Sequence, residues 1–139
     1  RKFRQINRYL EFINDIVAAL PEDGTLRITD FGCGKSYLTF ATHHFFTSIL
    51  QRDVNITGLD LKRSVVEHCQ QIAENLDCRG PSFKTGDIAA FQNEQGHCDL
   101  SISLHACDTA TDAALAAAVQ AMLHCAQCAL NIVGLGCYQ

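Results

Sequence analysis

No apolar stretch in this 139-residue chain is long enough to cross a membrane, and no secretory leader pattern is present. Neither a membrane-embedded nor a secreted protein is therefore expected, and a cytoplasmic one is. An excess of basic charge is lacking too. Eleven lysines and arginines against 15 acids give a formal net charge of −4, which removes any global reason to expect a polyanion partner. The local exception is Arg1, Lys2, Arg4 and Arg8, readable as a solvated helix end or as a basic rim for an acidic or nucleic-acid substrate. There is no internal repeat and no low-complexity tract, residues 113–121 being merely alanine-rich. A second close cysteine pair is also missing. Of the eight cysteines only Cys125 and Cys128, beside His124, are closely spaced, whereas a zinc ribbon needs two such pairs. The others stand singly, as small buried hydrophobes do, so no metal site is expected and reduced thiols are the default.

Two glycines are missing where they would decide the chemistry of the most informative stretch, Leu26-Arg27-Ile28-Thr29-Asp30-Phe31-Gly32-Cys33-Gly34-Lys35-Ser36. Gly34-Lys35-Ser36 ends like a phosphate-binding P-loop, but that loop needs a glycine at position 29, where Thr29 stands. A dinucleotide fingerprint needs its third glycine at position 37, where Tyr37 stands. What is present is a β-branched apolar run ending in an acid, then Gly-x-Gly, then residues at helical spacing. Glycines there let the backbone turn sharply and approach a ligand closely. This is a strand–loop–helix cradle for a small molecule, of the kind found in methyltransferases that bind S-adenosylmethionine (SAM).

With 47% hydrophobic and 19% charged residues, the chain reads as one globular domain over residues 1–139, able to bury a core. Residues 3–20 read as an amphipathic helix with Phe3, Ile6, Leu10, Ile13, Ile16 or Val17 and Leu20 on its apolar stripe, stopped by Pro21 and Gly24. A helix is expected over 35–50, a strand over 55–60, a helix over 61–76 with Val65, Val66, Cys69, Ile72, Ala73 and Leu76 inward, and strands over 81–85, 99–104 and 129–133. An alanine-rich helix follows Asp108. Strands alternating with helices argue a parallel sheet. Asp60, 28 residues after Gly32, ends the second strand, where a carboxylate either accepts ribose hydroxyl protons or caps the next helix. Asp87 is either a turn residue or a hydrogen-bonding partner for an adenine amino group, with Ile88 packed on the ring.

Together these strings, with Gly58-Leu59-Asp60-Leu61-Lys62, Gly86-Asp87-Ile88 and Ser103-Leu104-His105-Ala106-Cys107-Asp108, make the chain resemble SAM-dependent methyltransferases. It is most similar to the methyltransferase-like 25 or methyltransferase domain 32 group. The resemblance covers essentially the whole chain. It implies an α/β, Rossmann-like fold, a mostly parallel sheet flanked by helices, here without the usual C-terminal strand hairpin and so a fragment of something longer. It implies SAM as cofactor and S-adenosylhomocysteine as product. Its cofactor-binding residues would be Asp30, Phe31, Gly32, Cys33, Gly34, Asp60, Leu61, Asp87, Ile88 and Leu104, with Gln5 reaching in from the leading helix. His105 is the candidate base or substrate positioner, its plainer role being to pack at a strand end. The methyl acceptor would be RNA or protein, by analogy only. Two other readings stay open: a SAM-binding scaffold without catalysis, and a nucleotide-binding enzyme built on Gly34-Lys35-Ser36.

Overall fold

The computed structural model describes residues 2–86, 98–103 and 131–134. They form three helices and five strands: α1 (Lys2–Ile16), β1 (Leu26–Phe31), α2 (Tyr37–His44), β2 (Val54–Asp60), α3 (Arg63–Asn75), β3 (Ser82–Thr85), β4 (Leu100–Ser103) and β5 (Asn131–Gly134). A short 3-10 turn, Val17–Ala19, follows α1, and a π-helical turn, Phe45–Ile49, follows α2. The strands make one sheet in the order β3-β2-β1-β4-β5, and every pairing is parallel. This is the α/β arrangement the alternating pattern predicts, since parallel neighbours need crossover connections. Because all strands point the same way, Phe31, Asp60, Thr85 and Ser103 end at one edge of the sheet.

The central strand explains itself residue by residue. Leu26 and Ile28 face a core shared with Tyr9, Ile13, Phe45, Phe46, Ile56, Leu100 and Ile102, while only Arg27 in β1 is exposed. The starts of β1 and β4 are clamped reciprocally. Arg27 N–H donates to Asp99 Oδ2 at 2.7 Å, and Asp99 N–H donates to the Arg27 carbonyl at 2.8 Å. A smaller cluster of Cys33, Val66, Cys69, Ala73 and Phe83 joins α3 to the outer strands.

The helices depart from their predicted stripes. Phe3 is 74% exposed, and Tyr9 with Ile13 is the fully buried anchor of α1. In α2 the buried residues are Thr39 and Thr42, and Tyr37 is half exposed. Leu76, just past α3, is exposed. One cause links the first two departures: α1 and α2 meet through hydroxyls. Tyr9 Oη and Thr42 Oγ1 are 2.6 Å apart in a fully buried hydrogen bond. Burial holds the Tyr9 phenol far above its ordinary pKa, so it stays protonated. Tyr9→Phe removes one partner and leaves Thr42 unsatisfied in the core. The expected cost is about 1–2 kcal/mol in urea unfolding, and Tyr9→Phe/Thr42→Val, which removes both groups, recovers part of it.

Candidate functional site

The three loops leaving β1, β2 and β3 converge on Asp60. Its Oδ2 accepts from the Gly34 N–H at 3.2 Å and its Oδ1 from the Lys62 N–H at 3.0 Å. Its main-chain carbonyl accepts from the Gly86 N–H at 3.2 Å. The glycine loop is tied to β2 a second time, because the N–H groups of Gly32 and Cys33 both reach the Leu59 carbonyl, at 2.8 and 2.9 Å. Gly32 and Gly34 sit at φ +68° and +51°, in the left-handed region where a side chain costs about 1–2 kcal/mol. The loop turns back on itself there, and the Ser36 N–H closes it on the Cys33 carbonyl at 2.7 Å. Cys69 on α3 donates its thiol to the Gly34 carbonyl at 3.2 Å.

Asp30, next to last in β1, is almost completely buried, and Thr39 Oγ1 donates to its Oδ2 at 2.6 Å. Burial pushes its carboxyl up to about 7, opposed by the Thr39 bond and reinforced by the charge of Asp60. The sign for folding follows. The folded chain holds a proton that the unfolded chain has already lost, so Asp30's contribution to stability is full at acid pH. It is lost as pH rises from about 4 through about 7. Burial, with the neighbouring carboxylates and the Cys69 thiol adding to it, also raises the Cys33 thiol well above its ordinary range, keeping it an inert packing group.

Of the residues singled out from the sequence, Asp30, Gly32, Gly34 and Asp60 meet at the carboxyl edge of β1 and β2. The side chains of Phe31 and Cys33 are buried, and the Cys33 N–H and carbonyl are held within the fold by Leu59 and Ser36. Leu61, beside Asp60, is 72% exposed, an apolar surface next to the polar cluster. Gln5 is exposed on α1. Asp87, Ile88, Leu104, His105, Cys107 and Asp108 lie outside the described residues. Ser36 offers little to a phosphate–magnesium ligand: it is fully buried, and its hydroxyl donates to the Lys35 carbonyl at 2.8 Å. Among the described residues no group of three or more metal-ligating side chains assembles, and no helix is long and apolar enough to cross a membrane. A surface groove of about 450 Å³, lined by Asn7, Leu10, Glu11, Asn14, Asp15, Phe45 and Ile49, involves none of the loop residues.

Two residues at this edge were not found from the sequence. Thr39, which holds Asp30, lies on α2, where helical spacing alone singles out no hydroxyl. Ser103, the last residue of β4, is buried with its hydroxyl unpartnered among the described residues. A polar–apolar alternation such as Leu100-Ser101-Ile102-Ser103 suggests a face open to water, but a parallel sheet is covered on both faces. That topology was the available signal.

The comparisons with known proteins agree on the architecture. A family model described as a methyltransferase domain matches residues 1–138. No curated relative matches the chain. Among solved structures, monomeric WbdD superposes with a TM-score of 0.62 at 17% identity, covering 96% of this chain and 31% of that one. PKMT2 from Rickettsia typhi gives 0.58 at 16% identity, covering 81% of this chain and 21% of that one. Coclaurine N-methyltransferase bound to N-methylheliamine and S-adenosylhomocysteine gives 0.51 at 14% identity, covering 68% of this chain and 26% of that one. The chain thus spans less than a third of the length of each. At these identities the likeness is one of fold.

Proposed function

This chain belongs to the methyltransferase domain family, and from that premise we propose that it binds SAM along the carboxyl edge of β4, β1, β2 and β3 and methylates an acceptor. RNA and protein are the leading acceptor classes. The observation that carries the cofactor reading is the Asp60 carboxylate. An ionised carboxylate has about four acceptor positions. Two are taken by the Gly34 and Lys62 N–H groups, which fix its orientation and leave two for the paired hydroxyls of a ribose. The positive-φ glycines keep Cβ atoms away from the path beside it.

When bound, SAM supplies a methyl group activated on a sulfonium. The chain's own part is positioning and exclusion of water. Asp60 orients the ribose, and Leu61 lies against the adenine. Asp87 and Ile88 border the far side of that ring. Asp30 faces the cofactor's ammonium. Leu104 and His105, following β4, border the acceptor's entrance, and His105 takes the proton of an acceptor that still holds one. The whole stretch 1–139 acts as a single cofactor-binding domain in this reading.

Calorimetric titration with SAM, S-adenosylhomocysteine and, in parallel, ATP–magnesium tests it. Micromolar adenosyl-ligand binding that a folded Gly32→Val variant has lost supports the proposal. Binding of ATP–magnesium alone overturns it in favour of a nucleotide-binding enzyme. Cofactor binding without methyl transfer to RNA or protein substrates favours a scaffold.

Asp30 makes the binding pH-dependent. With its carboxyl at about 7 in the free protein, a bound ammonium favours the ionised form, so binding expels a proton. Affinity for S-adenosylhomocysteine is expected to rise about eightfold from pH 6 to pH 7.5. Asp30→Asn, which has no proton to lose, flattens that profile. A wild-type affinity independent of pH would remove Asp30 from the ligand's surroundings.

A further inference from the structure

Helix α1 buries one side in the core through Tyr9 and Ile13. A second stripe, Phe3, Asn7, Leu10 and Asn14, follows spacings of four, three and four residues and so shares another face. Asn7, Leu10 and Asn14 line one side of the surface groove, and Phe45 and Ile49 of the π-helical turn line the other. Phe3 stands one turn before Asn7 on that stripe and is 74% exposed, while Ile49 is 59% exposed. A bare aromatic knob and a half-apolar groove therefore lie on one surface, the kind of juxtaposition that marks a contact site.

The charges beside the stripe are ordered. Arg4, Arg8, Glu11 and Asp15 repeat the same spacing one position later, which puts bases in the first half of α1 and acids in the second. A helix dipole favours the reverse, and α1 has no acid in its first turn and no base in its last. Within the chain the order yields one pair, Arg8 to Glu11 at 2.6 Å between exposed side chains, and such pairs contribute little. Arg4 and Asp15 are exposed and enter none of the ion pairs among the described residues. A second α1 lying antiparallel gives the order a use. Arg4 of one copy is then level with Asp15 of the other, and Arg8 with Glu11. On the adjoining stripe Asn7 is level with Leu10, and Phe3 arrives at Asn14, on the wall of the other copy's groove.

We propose that this face of α1 docks a second copy of the chain, two α1 helices packing antiparallel about a twofold axis with Phe3 of each seated in the groove of the other. A twofold contact needs a patch that complements itself. Here the knob matches the groove and the bases match the acids within two neighbouring stripes, so opposite charges also fix the register. A helix of 15 residues is only about 22 Å long. The contact is small, and the dimer is a reversible one with a dissociation constant of about 10–100 μM. The bases at the start of the chain thus find their acidic partner in the chain itself, whatever ligand the sheet edge binds.

Analytical ultracentrifugation from about 1 μM to about 1 mM tests it. The wild type is expected to pass from monomer to dimer across that range, and to dissociate more readily in high salt. Arg4→Glu/Arg8→Glu makes the charged stripe wholly acidic, and Glu11→Arg/Asp15→Arg makes it wholly basic. Each variant alone is expected to self-associate about tenfold more weakly or worse, and an equimolar mixture of the two to form a one-to-one heterodimer at least as tight as the wild-type dimer. Phe3→Ser is expected to weaken the dimer to a similar degree. All five side chains are exposed, so melting temperatures should match the wild type, and the apolar variant decides the matter if a charge variant folds badly. A wild type that stays monomeric throughout would overturn the proposal and leave the groove to a different partner. A dimer that neither charge variant weakens would place the contact on another face, and a mixture that stays monomeric would refute the antiparallel register.

Discussion

Asp60→Asn is expected to weaken S-adenosylhomocysteine binding about 100-fold, almost as much as Asp60→Ala. The near equality is the informative part. Each Asp60 carboxylate oxygen accepts from a backbone N–H, one from Gly34 and one from Lys62. An asparagine amide has a single acceptor oxygen, so one of the two N–H groups must then face an NH₂ group. Either the glycine loop or the start of α3 comes loose, and the ribose loses a charged acceptor as well. Hydrogen bonds to charged groups contribute roughly 1.5–3 kcal/mol each, and 100-fold corresponds to about 2.7 kcal/mol. Calorimetry on folded variants checks the number. Asp60→Asn binding within threefold of wild type would mean that the carboxylate serves the loops and not a ligand.

The second large effect is on folding. Gly58→Ala is expected to cost about 2–3 kcal/mol and Gly58→Val at least as much, although both residues have higher strand propensity than glycine. A Cβ at this position would lie 2.7 Å from Phe83 Cδ1, 2.9 Å from Phe83 Cε1 and 3.2 Å from Cys33 Cβ. The Phe83 ring has no open side to retreat to. It is buried against Val66, Cys69 and Ala73, and Phe40 packs on it with ring centroids 5.7 Å apart. The other yielding atom belongs to Cys33, between the two loop glycines, so the strain passes into the cradle. Denaturant unfolding measures the cost, and Phe83→Leu in the Gly58→Ala background is expected to return part of it. A Gly58→Ala variant as stable as wild type would show that the ring moves freely.

The sheet was legible because buried strands announce themselves. Leu26, Ile28, Thr29 and Phe31 are apolar or β-branched and glycine follows them, and β1 covers Leu26–Phe31. The position of Asp60 at the end of β2 was legible as well, because an apolar run stops there. Helix faces were harder. Periodicity ranks residues by hydrophobicity, but α2 turns Thr39 and Thr42 inward because a buried carboxylate and a buried phenol wait beneath it. Those partners lie on other elements, nine residues and 33 residues away in the chain, out of reach of any local pattern. Phe3 failed for the mirror-image reason: its spacing fits the stripe, yet the core it would join ends at Tyr9. Ser103 was missed because its environment is made by the neighbouring strands alone.

The strand order also sets a problem of timing. Among the described strands the one at the middle of the sheet comes first in the chain, and its two sides are completed far apart in sequence. Asp30 meets Gly58 on one side but Ile102 on the other. At translation speeds of about 5–20 residues per second, the second side of β1 waits roughly 4–14 s for β4 to emerge. For that interval a strand carrying Leu26, Ile28 and Phe31 presents a bare row of hydrogen-bonding groups to the crowded surroundings of a nascent chain. A protein built this way leans on whatever shields it during synthesis, and any pause between β1 and β4 would lengthen the exposure.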